Sequence, residues 1–91
     1  MEIISYLSDF LSSQLNISPP AVRGLLKLSI KDELGPFKSL DKISYNDLKT
    51  TIQDALKKRL EKLEVSNINN IIERLLKELQ EHQSLITMGK I

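Results

Sequence analysis

This sequence predicts an all-α fold, a four-helix bundle-like domain, and three observations carry that reading. Apolar residues recur at spacings of three and four along most of the chain. The composition is 41% apolar, mostly Leu and Ile, with no Trp and only Tyr6, Phe10, Phe37 and Tyr45 as aromatics. Leucine-rich, aromatic-poor chains suit helix-on-helix packing better than sheets. Helix-ending signals separate the periodic stretches, placing helices near 3–15, 19–34, 45–64 and 67–84 of a single helical domain, 1–91.

The first stretch puts Ile3, Ile4, Leu7, Phe10, Leu11 and Leu15 on one stripe, with Ser5, Ser8, Asp9, Ser12 and Ser13 opposite. Asn16 follows, a residue that tolerates the left-handed conformation of a helix end. Ser18 is placed as the next cap, with Pro19 at the first helical position, where a missing N–H does no harm. The second stretch carries Ala21, Val22, Leu25, Leu26, Leu28, Ile30 and Leu34. That is more than one stripe, so this helix is expected to be touched from two sides. Gly24 inside it suggests close helix–helix approach, and Gly35-Pro36 ends it. Phe37, Leu40 and Ile43 recur every three residues, which suggests a short helical turn lying on the core.

The third helix has the clearest start. Ser44 and Asp47 are spaced as a capping box, and Ile43 and Leu48 as a hydrophobic staple. Ile52, Ala55, Leu56, Leu60 and Leu63 continue its apolar stripe. Val65-Ser66-Asn67 breaks it, with Ser66 as the expected next cap. The fourth helix carries Ile68, Ile71, Ile72, Leu75, Leu76, Leu79 and Ile86. A short break implies an antiparallel hairpin. Residues 85–91 read as a less helical tail.

Composition narrows the chemistry. Without cysteine there are no disulfides, thiolate metal sites or thiol catalysis, and a reducing, cytoplasmic setting is expected. Met1-Glu2 opens no basic leader, and no apolar run approaches the ~20 residues of a membrane helix. The net charge is +1, and His82 is the only histidine. Gly24, Gly35 and Gly89 are isolated, so no phosphate-cradling loop is expected. A helix-borne di-metal motif needs Glu three residues before His; that position is Leu79. Glu78 and His82 alone make two ligands, which is not a site. The chain is therefore expected to be no enzyme and to use no cofactor, metal or small-molecule substrate. The basic run Lys57-Lys58-Arg59 with Lys62 reads as helix surface, since Asp54 precedes Lys58 by four residues.

The segment Leu11-Ser12-Ser13-Gln14-Leu15-Asn16-Ile17-Ser18-Pro19-Pro20-Ala21-Val22-Arg23-Gly24-Leu25-Leu26-Lys27 resembles the helix-turn-helix core of winged-helix transcription regulators. Leu15, Asn16 and Ile17 match the family's turn, and Ser18 its polar cap. Leu11, Leu15, Ile17, Val22 and Leu25 would lock the two helices. The resemblance implies DNA binding through Arg23, Lys27 and Lys31 on the outer face. Where the family continues into a β-hairpin wing, Gly35-Pro36 here leads into another helical stretch.

The leading expectation is a non-enzymatic protein–protein interaction or oligomerisation module. Ile68, Ile72, Leu75 and Leu79, with Ile71 and Leu76 beside them, make a wider apolar face than one neighbouring helix needs. A homodimer, or another protein's helix, is the expected occupant.

Overall fold

The computed structural model describes residues 2–39 and 42–83. Over them the chain is all-α, with no strand among the described residues. The order is α1 (Glu2–Leu15), α2 (Pro19–Leu34), α3 (Tyr45–Thr51), a π-helical segment (Ile52–Leu56), α4 (Lys57–Lys62) and α5 (Ile68–Glu81). α3, the π-helical segment and α4 run on without interruption as one rod, so the four expected helices are present. No described helix is long and apolar enough to cross a membrane. Leu40, Ile86 and the tail 85–91 lie outside the described residues.

The helix ends follow from local chemistry. Asn16 turns the chain at φ 55°, the left-handed conformation its sequence position suggested. Ser18 occupies the cap of α2, but its side chain makes no capping bond. A capping hydroxyl normally bonds the N–H of the second or third helical residue, and here the second is Pro20, which has none. Gly35 closes α2 at φ 90°, its N–H donating to the Lys31 carbonyl at 2.9 Å. α4 ends in a Schellman motif: Val65 N–H donates to the Leu60 carbonyl and Glu64 N–H to that of Glu61, with Glu64 left-handed at φ 58°. α5 starts one residue later than expected, with Asn67, not Ser66, as the cap, and Asn67 is also left-handed.

The capping box at α3 is complete. Asp47 N–H donates to Ser44 Oγ and Ser44 N–H to Asp47 Oδ2, each at 3.1 Å. Ile43 and Leu48 are both buried, as a staple requires. Ser44→Ala should destabilise the fold by about 1 kcal/mol, read by chemical denaturation. The Ser44 backbone N–H is the first cause holding Asp47 below the usual carboxylate range; the Ser44 hydroxyl bond and the charge of Lys38, 3.6 Å away, add to it. Because the folded-state value is depressed, this contribution is present above the unfolded value of about 3.9 and fades as pH falls through the lower folded one. Asp47→Asn should flatten the acid limb of a stability–pH profile below about pH 4.

The core draws on every rod. α1 gives Ile3, Ile4, Leu7 and Leu11; α2 gives Val22, Leu26 and Ile30. The third rod and its lead-in give Ile43, Leu48, Ile52, Leu56 and Leu60, and α5 gives Ile71, Ile72, Leu75 and Leu79. Burying each such side chain contributes about 1.5–3 kcal/mol. α2 packs on α1 and on the third rod, so it is touched from two sides as its composition suggested. α5 closes the bundle against α1 and the third rod.

Among the described residues, three polar ones enter this core: Ser8, Ser29 and Thr51. Each hydroxyl donates to the carbonyl one turn back, on Ile4 (2.6 Å), Leu25 (2.9 Å) and Asp47 (2.8 Å). Their small, self-satisfied side chains fit where one helix lies on another. Ser8 therefore belongs to the buried face of α1, not the polar one. Thr51 immediately precedes the π-helical segment, and back-bonding of this kind often bends a helix.

Two further expectations are corrected. Gly24 does not mark a close approach, because a methyl group added there would meet nothing within 4 Å. Gly24→Ala should instead stabilise the protein by about 0.5–1 kcal/mol through helix propensity and a less entropic unfolded chain, seen as a higher denaturation midpoint. The Phe37–Leu40–Ile43 stretch does hold a short helical turn, 3₁₀ at Lys42, whose N–H donates to the Ser39 carbonyl at 3.1 Å, but Phe37 does not lie on the core. Residues 36–37 form a turn, Phe37 is 97% exposed, and Ile43 alone of the described pair is buried. Pro36 directly after the left-handed Gly35 directs the chain away from α2, and Phe37 precedes the turn that Ser39 and Lys42 close.

Candidate functional site

The apolar face of α5 is not an open surface. Ile71, Ile72, Leu75 and Leu79 are at most 6% exposed, and Ile68 and Leu76 are half-buried against the same core. The stripe is wide because α5 meets two neighbours, α1 and the third rod, rather than one. The expected interaction surface is thus consumed inside the chain.

α2 carries the other expected contact residues, and they divide. Lys27 and Lys31 are exposed one turn apart, whereas Arg23 is half-buried with an enclosed Nε that has no hydrogen-bond partner. Of the five residues expected to lock α1 to α2, Leu11 and Val22 are fully buried, and Leu15, Ile17 and Leu25 pack partly buried against the core. The Ser12 hydroxyl, donating to the Ile17 carbonyl, holds the turn between them.

Large apolar side chains reach water elsewhere: Leu28 is 47% exposed and Leu63 is 53% exposed. Leu28 lies between Lys27 and Lys31 in sequence, on the side of α2 turned away from Val22, Leu26 and Ile30. Phe37 stands just past the C-terminal end of the same helix. Periodicity did not distinguish Leu28 from the buried leucines of α2, because a helix with apolar residues on several sides has no unique inward stripe.

A polar belt joins α2 to the third rod. Arg59 Nε donates to Asp32 Oδ2 at 2.7 Å, and Lys58 Nζ lies 3.1 Å from Asp54 Oδ1, the pair expected from their spacing of four. A groove of about 410 Å³ runs between them, bordered by Asp32, Glu33, Asp54, Lys58, Arg59 and Lys62. The Arg59 hydrogen bond holds Asp32 below the usual carboxylate range. The bond from Lys58 does the same for Asp54, helped by one from Glu33. Burial, then the hydrogen bond with Asp54, pushes Glu33 up. Two of the basic run's four side chains, Lys58 and Arg59, are therefore engaged with acids of their own chain. Water and salt screen such exposed pairs, so they contribute little to stability.

A third cluster joins the two ends of the sequence. Tyr6 Oη on α1 donates to Glu78 Oε2 on α5 at 2.7 Å, and that bond is the first cause raising the tyrosine above its ordinary value. The His82 ring stacks on Tyr6 with centroids 4.1 Å apart and a tilt of 33°. His82 Nδ1 lies 2.9 Å from the Glu78 carbonyl oxygen and 3.7 Å from its carboxylate. Glu81 completes the group. Sequence reasoning paired Glu78 with His82 and passed over Glu81, although its i+3 spacing from Glu78 was visible; the Tyr6 partnership left no local signal.

Comparison with family profiles, with curated proteins and with solved structures finds no match for this chain.

Proposed function

We propose that this chain is a non-enzymatic protein–protein interaction module that docks its partner on the outer face of α2 and the loop that follows. The observation carrying this reading is Phe37, 97% exposed at the end of a helix that also holds Leu28 47% exposed between two lysines. Scattered surface leucines are ordinary. A phenylalanine held almost wholly in water has no role in the core, and aromatic side chains are the usual anchors of interfaces. Lys27 and Lys31 flank Leu28 on α2 and Lys38 follows Phe37 in sequence, so an acidic amphipathic helix is the complementary partner. A second copy of the chain fits less well. A two-fold contact through this face would set each lysine row against its copy. The cysteine-free composition supports a reducing, cytoplasmic setting for that contact.

A labelled amphipathic peptide with leucines on one face and glutamates on the other tests this by fluorescence anisotropy. Saturable binding that a lysine-for-glutamate version of the peptide does not show supports the reading. Equal affinity for both peptides, or none at high micromolar concentration, overturns it. Sedimentation across the same concentrations reads out self-association.

The second reading is duplex DNA binding by a helix-turn-helix. The left-handed Asn16 at the turn and the exposed Lys27 and Lys31 on the next helix favour it. Residues 1–40 hold only four basic side chains against four acidic ones, which weighs the other way. Random duplex at low salt separates the two. Binding that weakens steeply with salt and is lost on reversing Lys27 and Lys31 to glutamate would favour DNA.

A further inference from the structure

We propose that Glu78, Glu81 and His82, at the C-terminal end of α5, form a site for a divalent transition ion of the Zn²⁺ class. One carboxylate oxygen from each glutamate and one imidazole nitrogen lie within 4.8 Å of one another. Ligands around a tetrahedral Zn²⁺, at about 2.0–2.2 Å from the metal, stand roughly 3.4 Å apart. Rotation of the exposed Glu81 side chain toward the other two would close that difference.

The group is more than adjoining acids on a helix, because its members are positioned from outside. Tyr6, 72 residues away in sequence, fixes the Glu78 carboxylate through its hydroxyl and seats the His82 ring by stacking. In the tautomer that donates Nδ1–H to the Glu78 carbonyl, His82 keeps its Nε2 lone pair for a metal. An imidazole whose other nitrogen is bonded to a backbone carbonyl, beside a carboxylate held by a hydroxyl, is how metal ligands are oriented by their surroundings. Glu78 and His82 follow the buried Leu75 and Leu79 by three residues each, so they lie at the edge of the core stripe facing Tyr6 of α1, with exposed Glu81 outside it. The carbonyl end of the helix adds negative potential, and the charges of Glu78 and Glu81 both bear on the Tyr6 hydroxyl. Imidazole with two carboxylates selects Zn²⁺, Ni²⁺ or Cu²⁺ over the all-oxygen Ca²⁺ or Mg²⁺.

Calorimetric titration of Zn²⁺ into the untagged protein tests the site. One equivalent should bind, and His82→Ala and Glu81→Gln should each weaken binding at least tenfold. Tyr6→Phe, which keeps the ring and removes the hydroxyl, should weaken it about tenfold. Asp54→Asn, in the polar belt, should change nothing. In the unaltered protein the His82 ring ¹⁵N resonances should move on Zn²⁺ addition and not on Ca²⁺ addition, a readout that does not depend on any variant folding. No saturable binding below millimolar Zn²⁺ would overturn the proposal. So would equal binding by the His82 and Glu81 variants, or equal competition by Ca²⁺.

Discussion

Leu75→Ala is expected to destabilise the protein by about 2–5 kcal/mol, because it removes a fully buried side chain and leaves a cavity that the bundle only partly closes. Set against a total stability of about 5–15 kcal/mol, that is a large share. In a domain of this size each kcal/mol lowers the melting temperature by about 4–8 °C. The loss should be the same at high and low protein concentration, since the cavity lies among α1, the third rod and α5 of one chain. Were Leu75 part of a dimer contact, dilution of the unaltered protein would lower its melting temperature, and the variant would lose that dependence. Leu76→Ala, on the same helix but half-buried, should cost visibly less. Thermal melts of the three proteins at two concentrations decide the matter.

Replacing Leu28 and Phe37 together by aspartate should behave in the opposite way. Phe37 touches almost nothing, and single surface changes of this kind usually alter stability by no more than about 0.5 kcal/mol. Binding of the acidic amphipathic peptide should nevertheless weaken by far more than tenfold. The change removes the two apolar anchors and places two carboxylates against an acidic ligand; a factor of ten alone is about 1.4 kcal/mol. Anisotropy titrations report the binding, and a melting curve unchanged within a few degrees shows that the fold is intact. A variant that melts normally and still binds at full strength would remove Leu28 and Phe37 from the interface.

The number of helices and most of their ends were legible because they rest on local chemistry. Gly35-Pro36, the Ser18-Pro19 start and the Ser44/Asp47 box act within a few residues, and the pattern of Ile and Leu names nearly all of the core. What escaped was set by elements distant in sequence. The width of the α5 stripe was visible, but not that two helices of the same chain cover it. Ser8, Ser29 and Thr51 look polar and are buried, because each hydroxyl is satisfied by its own helix. Gly24 suggested contact where the space is open, since a glycine does not reveal what stands opposite it. The spacing of Phe37 and Ile43 pointed to a helical turn, which Ser39 and Lys42 close, but Phe37 falls before it and outside the core. The π-helical segment at Ile52–Leu56 left no mark in the pattern. The Tyr6–Glu78 bond joins the two ends of the described chain, so no local window contained both partners.

The proposed role rests on the outer face of α2, and amide chemical-shift mapping addresses that face directly. Titrating the acidic amphipathic peptide into ¹⁵N-labelled protein should shift resonances concentrated over 27–38, with those of 71–79 nearly still because that stripe is enclosed. Shifts centred on α5, or none at millimolar peptide, would contradict it.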